Sequence, residues 1–206
     1  YQGEPVEWRV LDKKDGEILL LSEYGLDAQP FDTSGKSRVD WKDSTIRKWL
    51  NDDFYNSAFS EKEKENIVES KSEGFEEYNT SMNLTGGGKP YAYLEREIED
   101  KVFLLSNTEL CAYFSEDPYP GCYSDPYAHK ELLCYPTAYA KQQLETRYQT
   151  ETCGWWLCNH VYEDDSVELV SAYGQGSGTS RENIKANTKS IAVRPAMWVT
   201  WQSDME

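Results

Sequence analysis

The tightest constraint on this chain sits near its start. Asp15-Gly16 stands between two apolar stretches, Val6, Trp8, Val10 and Leu11 before it and Ile18-Leu19-Leu20-Leu21 after it. Asp-Gly tolerates the two positive φ angles of a tight hairpin turn, so the alternation on either side predicts a β-hairpin. Four consecutive aliphatic residues predict a return strand buried on both faces. An isolated hairpin is marginal in water, so the remaining chain must supply elements that cover it.

Helices follow. Asp43 or Ser44 can cap a helix that carries Ile46, Trp49, Leu50 and Phe54 on one face. Ser60-Glu61-Lys62-Glu63 fits a capping box opening a second helix, with Ile67-Val68 as its apolar contact. Ser106 or Asn107 caps a turn through Leu110 and Tyr113, and residues 137–148 read as helical with Tyr139 and Leu144 facing inward. Strands are expected at Val102-Phe103-Leu104-Leu105, at Trp155-Trp156-Leu157, at 167–172 and at 191–199, where Pro195 marks a bend or an edge. The pattern dissolves over 69–99, which reads as a loop insertion, and again over 111–136. Gly86-Gly87-Gly88-Lys89-Pro90 in that insertion lacks the G-x4-G-K-[ST] of a phosphate loop and reads as a turn.

Runs this short could not build a core from aliphatic residues alone, and composition resolves the difficulty. Aromatics are 14% of the 206 residues, while mean hydropathy is only −0.78. Large rings bury much area each, so a ring-filled core inside a polar shell is expected. The length suits one α+β domain spanning 1–206. The net charge of −16 repels phosphate backbones and anionic lipid, which argues against nucleic acid as a partner. No run approaches the roughly 18 apolar residues of a membrane span, so no membrane insertion is expected. Cys111, Cys122, Cys134, Cys153 and Cys158 match no strong zinc spacing and read as free thiols.

Blocks across nearly the whole chain resemble a widespread uncharacterised bacterial domain family. They are Glu7-Trp8-Arg9-Val10-Leu11-Asp12, Leu19-Leu20-Leu21-Ser22, and Trp41 with Ser44-Thr45-Ile46-Arg47-Lys48-Trp49-Leu50-Asn51. The series continues with Asp100-Lys101-Val102-Phe103-Leu104-Leu105-Ser106, Pro136-Thr137-Ala138-Tyr139-Ala140, Gly154-Trp155-Trp156-Leu157 and Val193-Arg194-Pro195-Ala196-Met197-Trp198-Val199. The resemblance implies a C-type-lectin-like or formylglycine-generating-enzyme-like fold, with an N-terminal hairpin, two or more helices, a C-terminal antiparallel sheet and long irregular loops. Family members usually follow the double tryptophan with Leu-Arg-Ser-Pro. Here Leu157 precedes Cys158-Asn159-His160, so a role tied to that arginine does not carry over.

Three kinds of site compete. Cys158 and His160, two apart on a strand, could share a face as nucleophile and base, but nearby acids would raise the thiol pKa. Glu163, Asp164 and Asp165 offer clustered oxygen ligands for calcium, although the Glu-Pro-Asn and Trp-Asn-Asp motifs of sugar-binding C-type lectins are missing. Aromatic recognition is favoured. Tyrosines cluster in the irregular segments at 113, 119, 123, 127, 135, 162 and 173, although each one alone reads as satellite core. Most tryptophans and Arg194 read as structural, the arginine pairing a buried carboxylate or carbonyl.

The expected function is therefore a non-catalytic module binding a glycan or a protein, without a cofactor, inside a larger bacterial surface or secreted protein. Its other domains and signal region are expected outside this sequence. The expected ligand-binding residues are Asn159, His160, Tyr162, Glu163, Asp164, Tyr173, Arg181 and Asn183, on loops between C-terminal strands. The alternative is an enzyme using Cys158 with His160, or a metal-assisted hydrolase.

Overall fold

A computed structural model describes residues 1–36, 39–71, 99–114, 130–145, 151–160, 167–175 and 186–201. Strands β1 (Trp8–Lys14) and β2 (Glu17–Ser22) form the hairpin, with Lys14 opposite Glu17 across a two-residue turn. Asp15 and Gly16 take φ of 53° and 83°, the double left-handed geometry for which Asp-Gly is suited. A bulge between Val10 and Asp12 breaks the alternation of β1 and leaves Val10 exposed. Of the four aliphatic residues in β2, Leu19 and Leu21 are fully buried while Ile18 and Leu20 are half-covered, so that run is packed on one face rather than both.

The helical run after the hairpin is composite. A short 3₁₀ turn (Trp41–Asp43) precedes α1 (Thr45–Trp49), a π-helical stretch (Leu50–Phe54) and α2 (Tyr55–Ala58). Ser44 is the cap, its hydroxyl accepting from the Arg47 N–H. The expected capping box opens α3 (Glu61–Lys64), with Ser60 and Glu63 bonded reciprocally. Ile67–Val68 is not a helical contact but β3, which pairs with Val199 and Trp198 of β8 (Ala196–Thr200). The closing strand thus lies between β2 and β3, and the sheet order is β1-β2-β8-β3. Its unpaired edge captures two apolar residues that local periodicity alone assigns to the helix.

Smaller pieces complete the fold. β4 (Ser70–Lys71) pairs with β5 (Glu99–Asp100), closing the base of the expected insertion, whose residues 72–98 lie outside the described ones. Residues 102–105 are fully buried as expected, but they join the sheet only where Phe103 and Ala196 exchange backbone hydrogen bonds. Ser106 caps α4 (Asn107–Phe114), which continues past Cys111 into the stretch expected to be irregular. Thr137 caps α5 (Ala138–Gln143), which ends when Leu144 turns extended, short of the expected 148. β6 (Trp155–His160) and β7 (Val167–Val170) form the C-terminal antiparallel pair.

Rings fill the interior. Phe31 lies 6.2 Å from Trp41 and 6.0 Å from Trp156, centre to centre. A second cluster joins Tyr1, Trp49 and Phe59 around Phe54 at 5.0 to 5.8 Å. These tilted and edge-on pairs match the preferred geometry of aromatic quadrupoles, and Phe31 links Trp41 of the helical run to Trp156 of the later strand pair. Among the described residues, no helix is long and apolar enough to cross a membrane.

Candidate functional site

Only part of the expected C-terminal site lies within the described residues. Asn159 is half-buried near the end of β6, and the backbone of His160 pairs with Val167. Tyr173 is 62% exposed in the turn after β7. Because β6 and β7 run antiparallel, Asn159 and Tyr173 sit at opposite ends of the pair. Tyr162, Glu163, Asp164, Asp165, Arg181 and Asn183 lie outside the described residues. Cys158 is buried, its N–H bonded to the Leu105 carbonyl and its sulfur 3.9 Å from the Asn159 amide oxygen. Among the described residues, no cluster of three or more His, Cys, Asp or Glu side chains could hold a metal ion.

Other residues do converge. Gly25 forms a parallel bridge with Pro136, its N–H bonded to the Tyr135 carbonyl and its carbonyl accepting from the Thr137 N–H. Tyr24 and Tyr135 each stand one residue before a partner of this bridge. They are 36% and 47% exposed. Glu23, next to Tyr24 in the chain, forms a two-point ion pair with Arg9 at 2.6 and 2.8 Å, and Arg9 also reaches the Glu131 carbonyl at 3.3 Å. The guanidinium hydrogen bond holds the Glu23 carboxyl below its ordinary value and raises Arg9 in turn.

Beneath this face, on the inward side of the same bridge, lie two thiols and a cation. Cys134 and Cys153 are antiparallel bridge partners, and both are buried. The Cys153 N–H donates to the Cys134 carbonyl at 2.8 Å. The Cys153 S–H points to the Cys134 carbonyl at 3.5 Å, and of the two thiols Cys134 ionises first: the neighbouring Cys153 side chain lowers it, against the cost of burial, and Arg194 helps. Cys153 is raised by its Cys134 neighbour and by burial. Arg194 is fully buried, giving Nε–H to the Ser22 carbonyl at 2.8 Å and Nη2–H to the Glu23 carbonyl at 3.4 Å. Its guanidinium carbon lies 4.9 Å from the centre of the Trp155 ring, and Nη1 has no hydrogen-bond partner. Burial pulls its pKa below the usual guanidinium range. The carbonyl partners are those expected for this arginine, whereas the thiols beside it went unanticipated, since nothing local in the sequence joins 134 to 153.

A second polar centre forms where two motif blocks meet. The buried Asp100 carboxylate accepts from Trp41 Nε1–H at 2.9 Å and Arg47 Nε–H at 2.7 Å. Asn51 completes it, accepting from the Lys101 and Val102 N–H groups and donating to the Val102 carbonyl. An open groove of about 450 Å³ runs alongside, lined by Lys48, Asp52, Glu69, Glu99 and Lys101 among others. Its mixed charges leave no single-sign field to select a ligand.

The molecule is thus a mixed α/β protein with a ring-filled core, small antiparallel sheets and two buried charge centres built from its motif residues. It belongs to the family described as Domain of unknown function (DUF6273), whose model matches residues 15–201. No curated protein and no solved structure matches the chain.

Proposed function

We propose that this chain is a non-catalytic glycan-binding module of C-type-lectin-like architecture, acting within a larger bacterial surface or secreted protein. The observation that carries the reading is the exposure of Tyr24 and Tyr135 next to the Gly25–Pro136 bridge, with the Arg9–Glu23 ion pair formed by the residue before Tyr24. Two rings held on paired backbone present apolar faces at fixed spacing, which suits stacking against sugar rings at small entropic cost. The ion pair adds planar donors and acceptors for hydroxyl groups. The net charge of −16 disfavours acidic sugars, so the ligand is a neutral or amino-sugar glycan. The architectural part draws support from a closing strand that returns between the first hairpin and β3.

The test is a glycan array followed by calorimetry with a neutral or amino-sugar oligosaccharide that it returns. Tyr135→Ala and Tyr24→Ala should each weaken binding by about tenfold, the loss of one stacked ring at roughly 1.4 kcal/mol. Retained affinity in both variants, with the fold intact by circular dichroism, sinks the reading.

A further inference from the structure

We propose that Cys134 and Cys153 form a reversible disulfide, a redox-operated clamp that ties the 130–136 segment to the start of β6. The backbone geometry carries it. Antiparallel bridge partners hold their Cα atoms about 4.5–5.5 Å apart, within the range that a disulfide spans. The space in which the sulfurs meet depends on Gly25. A Cβ there would come within 3.3 Å of one sulfur, 3.5 Å of the other and 2.8 Å of the Ala192 methyl. An observation of a different kind points to the same place. Arg194, fully buried beside the pair, keeps an unpartnered Nη1, a demand for negative charge that no carboxylate among the described residues meets by hydrogen bond. A Cys134 thiolate supplies that charge, and the direction of the Cys134 shift agrees.

The reaction is thiol–disulfide exchange with a low-molecular-weight disulfide such as oxidised glutathione. The Cys134 thiolate attacks one sulfur of the oxidant, forming a mixed disulfide and expelling one thiolate. Cys153 then gives up its proton, attacks the Cys134 sulfur and expels the second thiolate, which is protonated. The two cysteines lose two electrons and two protons, and the oxidant leaves as two thiols. Both sulfurs are shielded in the folded state, so exchange proceeds when the 130–136 segment opens, and its pairing through isolated bridges favours that.

The experiment equilibrates the whole chain with oxidised glutathione, blocks remaining thiols, and maps linkages by peptide mass spectrometry alongside thermal unfolding. The expected result is a 134–153 linkage removed by dithiothreitol. Closing a 19-residue separation should raise Tm by about 6–12 °C. Cys158→Ser should keep both signals, and Cys153→Ser should lose them. Should Cys153→Ser fail to fold, the wild-type linkage map decides alone. No 134–153 linkage at saturating oxidant, linkage to a different cysteine, or a linkage that leaves Tm unchanged overturns the clamp.

Discussion

Asp100 and Arg194 are both charged and both buried, yet they are compensated in opposite ways. Asp100 faces a full cation at 2.7 Å and takes an indole N–H besides, so its charge is met by directed donors. Arg194 has two backbone carbonyls, a ring face and a pair of thiols, and one of its nitrogens goes without a partner. The first centre is electrically closed. The second retains a demand for negative charge, which makes it the part of this molecule whose state can change. Both centres join segments remote in sequence: Arg47 meets a residue 53 positions away, and Arg194 one 172 positions away. Closing loops of that size costs entropy, and a charge-assisted hydrogen bond at the junction helps to offset it.

The largest effect should come from breaking the closed centre. Asp100→Ala strands the Trp41 N–H and leaves Arg47, mostly covered, without its counter-charge. Removing one partner of a buried pair typically costs about 3–5 kcal/mol, read as a lowered urea midpoint at unchanged slope. A loss below about 1 kcal/mol would place this pair among surface ion pairs and erase the contrast. Arg194→Met should cost less, about 1–3 kcal/mol. It abandons two carbonyls but also removes a desolvated charge, and the thioether refills the space against Trp155. If Arg194→Met proves the more damaging of the two, the arginine is better compensated than its hydrogen bonds indicate.

The same contrast explains what could be read without the structure. The Asp15-Gly16 turn and the caps at Ser44, Ser60 and Ser106 were legible because each depends on residues within three or four positions. The roles of Asp100 and Asn51 were not, because they arise from contacts about 50 positions apart. Ile67–Val68 misled for the same reason, since the free edge of β8 decides their pairing. Of the surface rings proposed to bind ligand, Tyr135 belongs to the clustered loop tyrosines visible in the sequence. Tyr24 stands alone there, and only the bridge at Gly25 makes it a neighbour. The Cys134–Cys153 pairing lacks any periodic signal, because isolated bridges leave no alternation to read.

Glu23 offers the finest probe of the difference, because it touches both kinds of compensation. Its side chain pairs with Arg9, while its backbone carbonyl accepts from Arg194. Glu23→Gln removes the carboxylate and keeps the backbone, so any loss reports the Arg9 pair and the field reaching Arg194. Both partners are about one-third exposed, at 33% and 35%, so solvent screening limits the loss at pH 7 to less than about 1 kcal/mol. The Arg9 hydrogen bond lowers the folded carboxyl, so its contribution is present above the unfolded value near 4.5 and disappears as pH falls through the folded one. Urea titrations of wild type and Glu23→Gln should therefore differ at pH 7 and converge on acidification below about 4.5. The gap should also narrow with added salt, as it does for an exposed pair. A gap that persists unchanged into acid would mean the carboxylate is not what holds Arg9, and that the two centres differ less than their geometry implies.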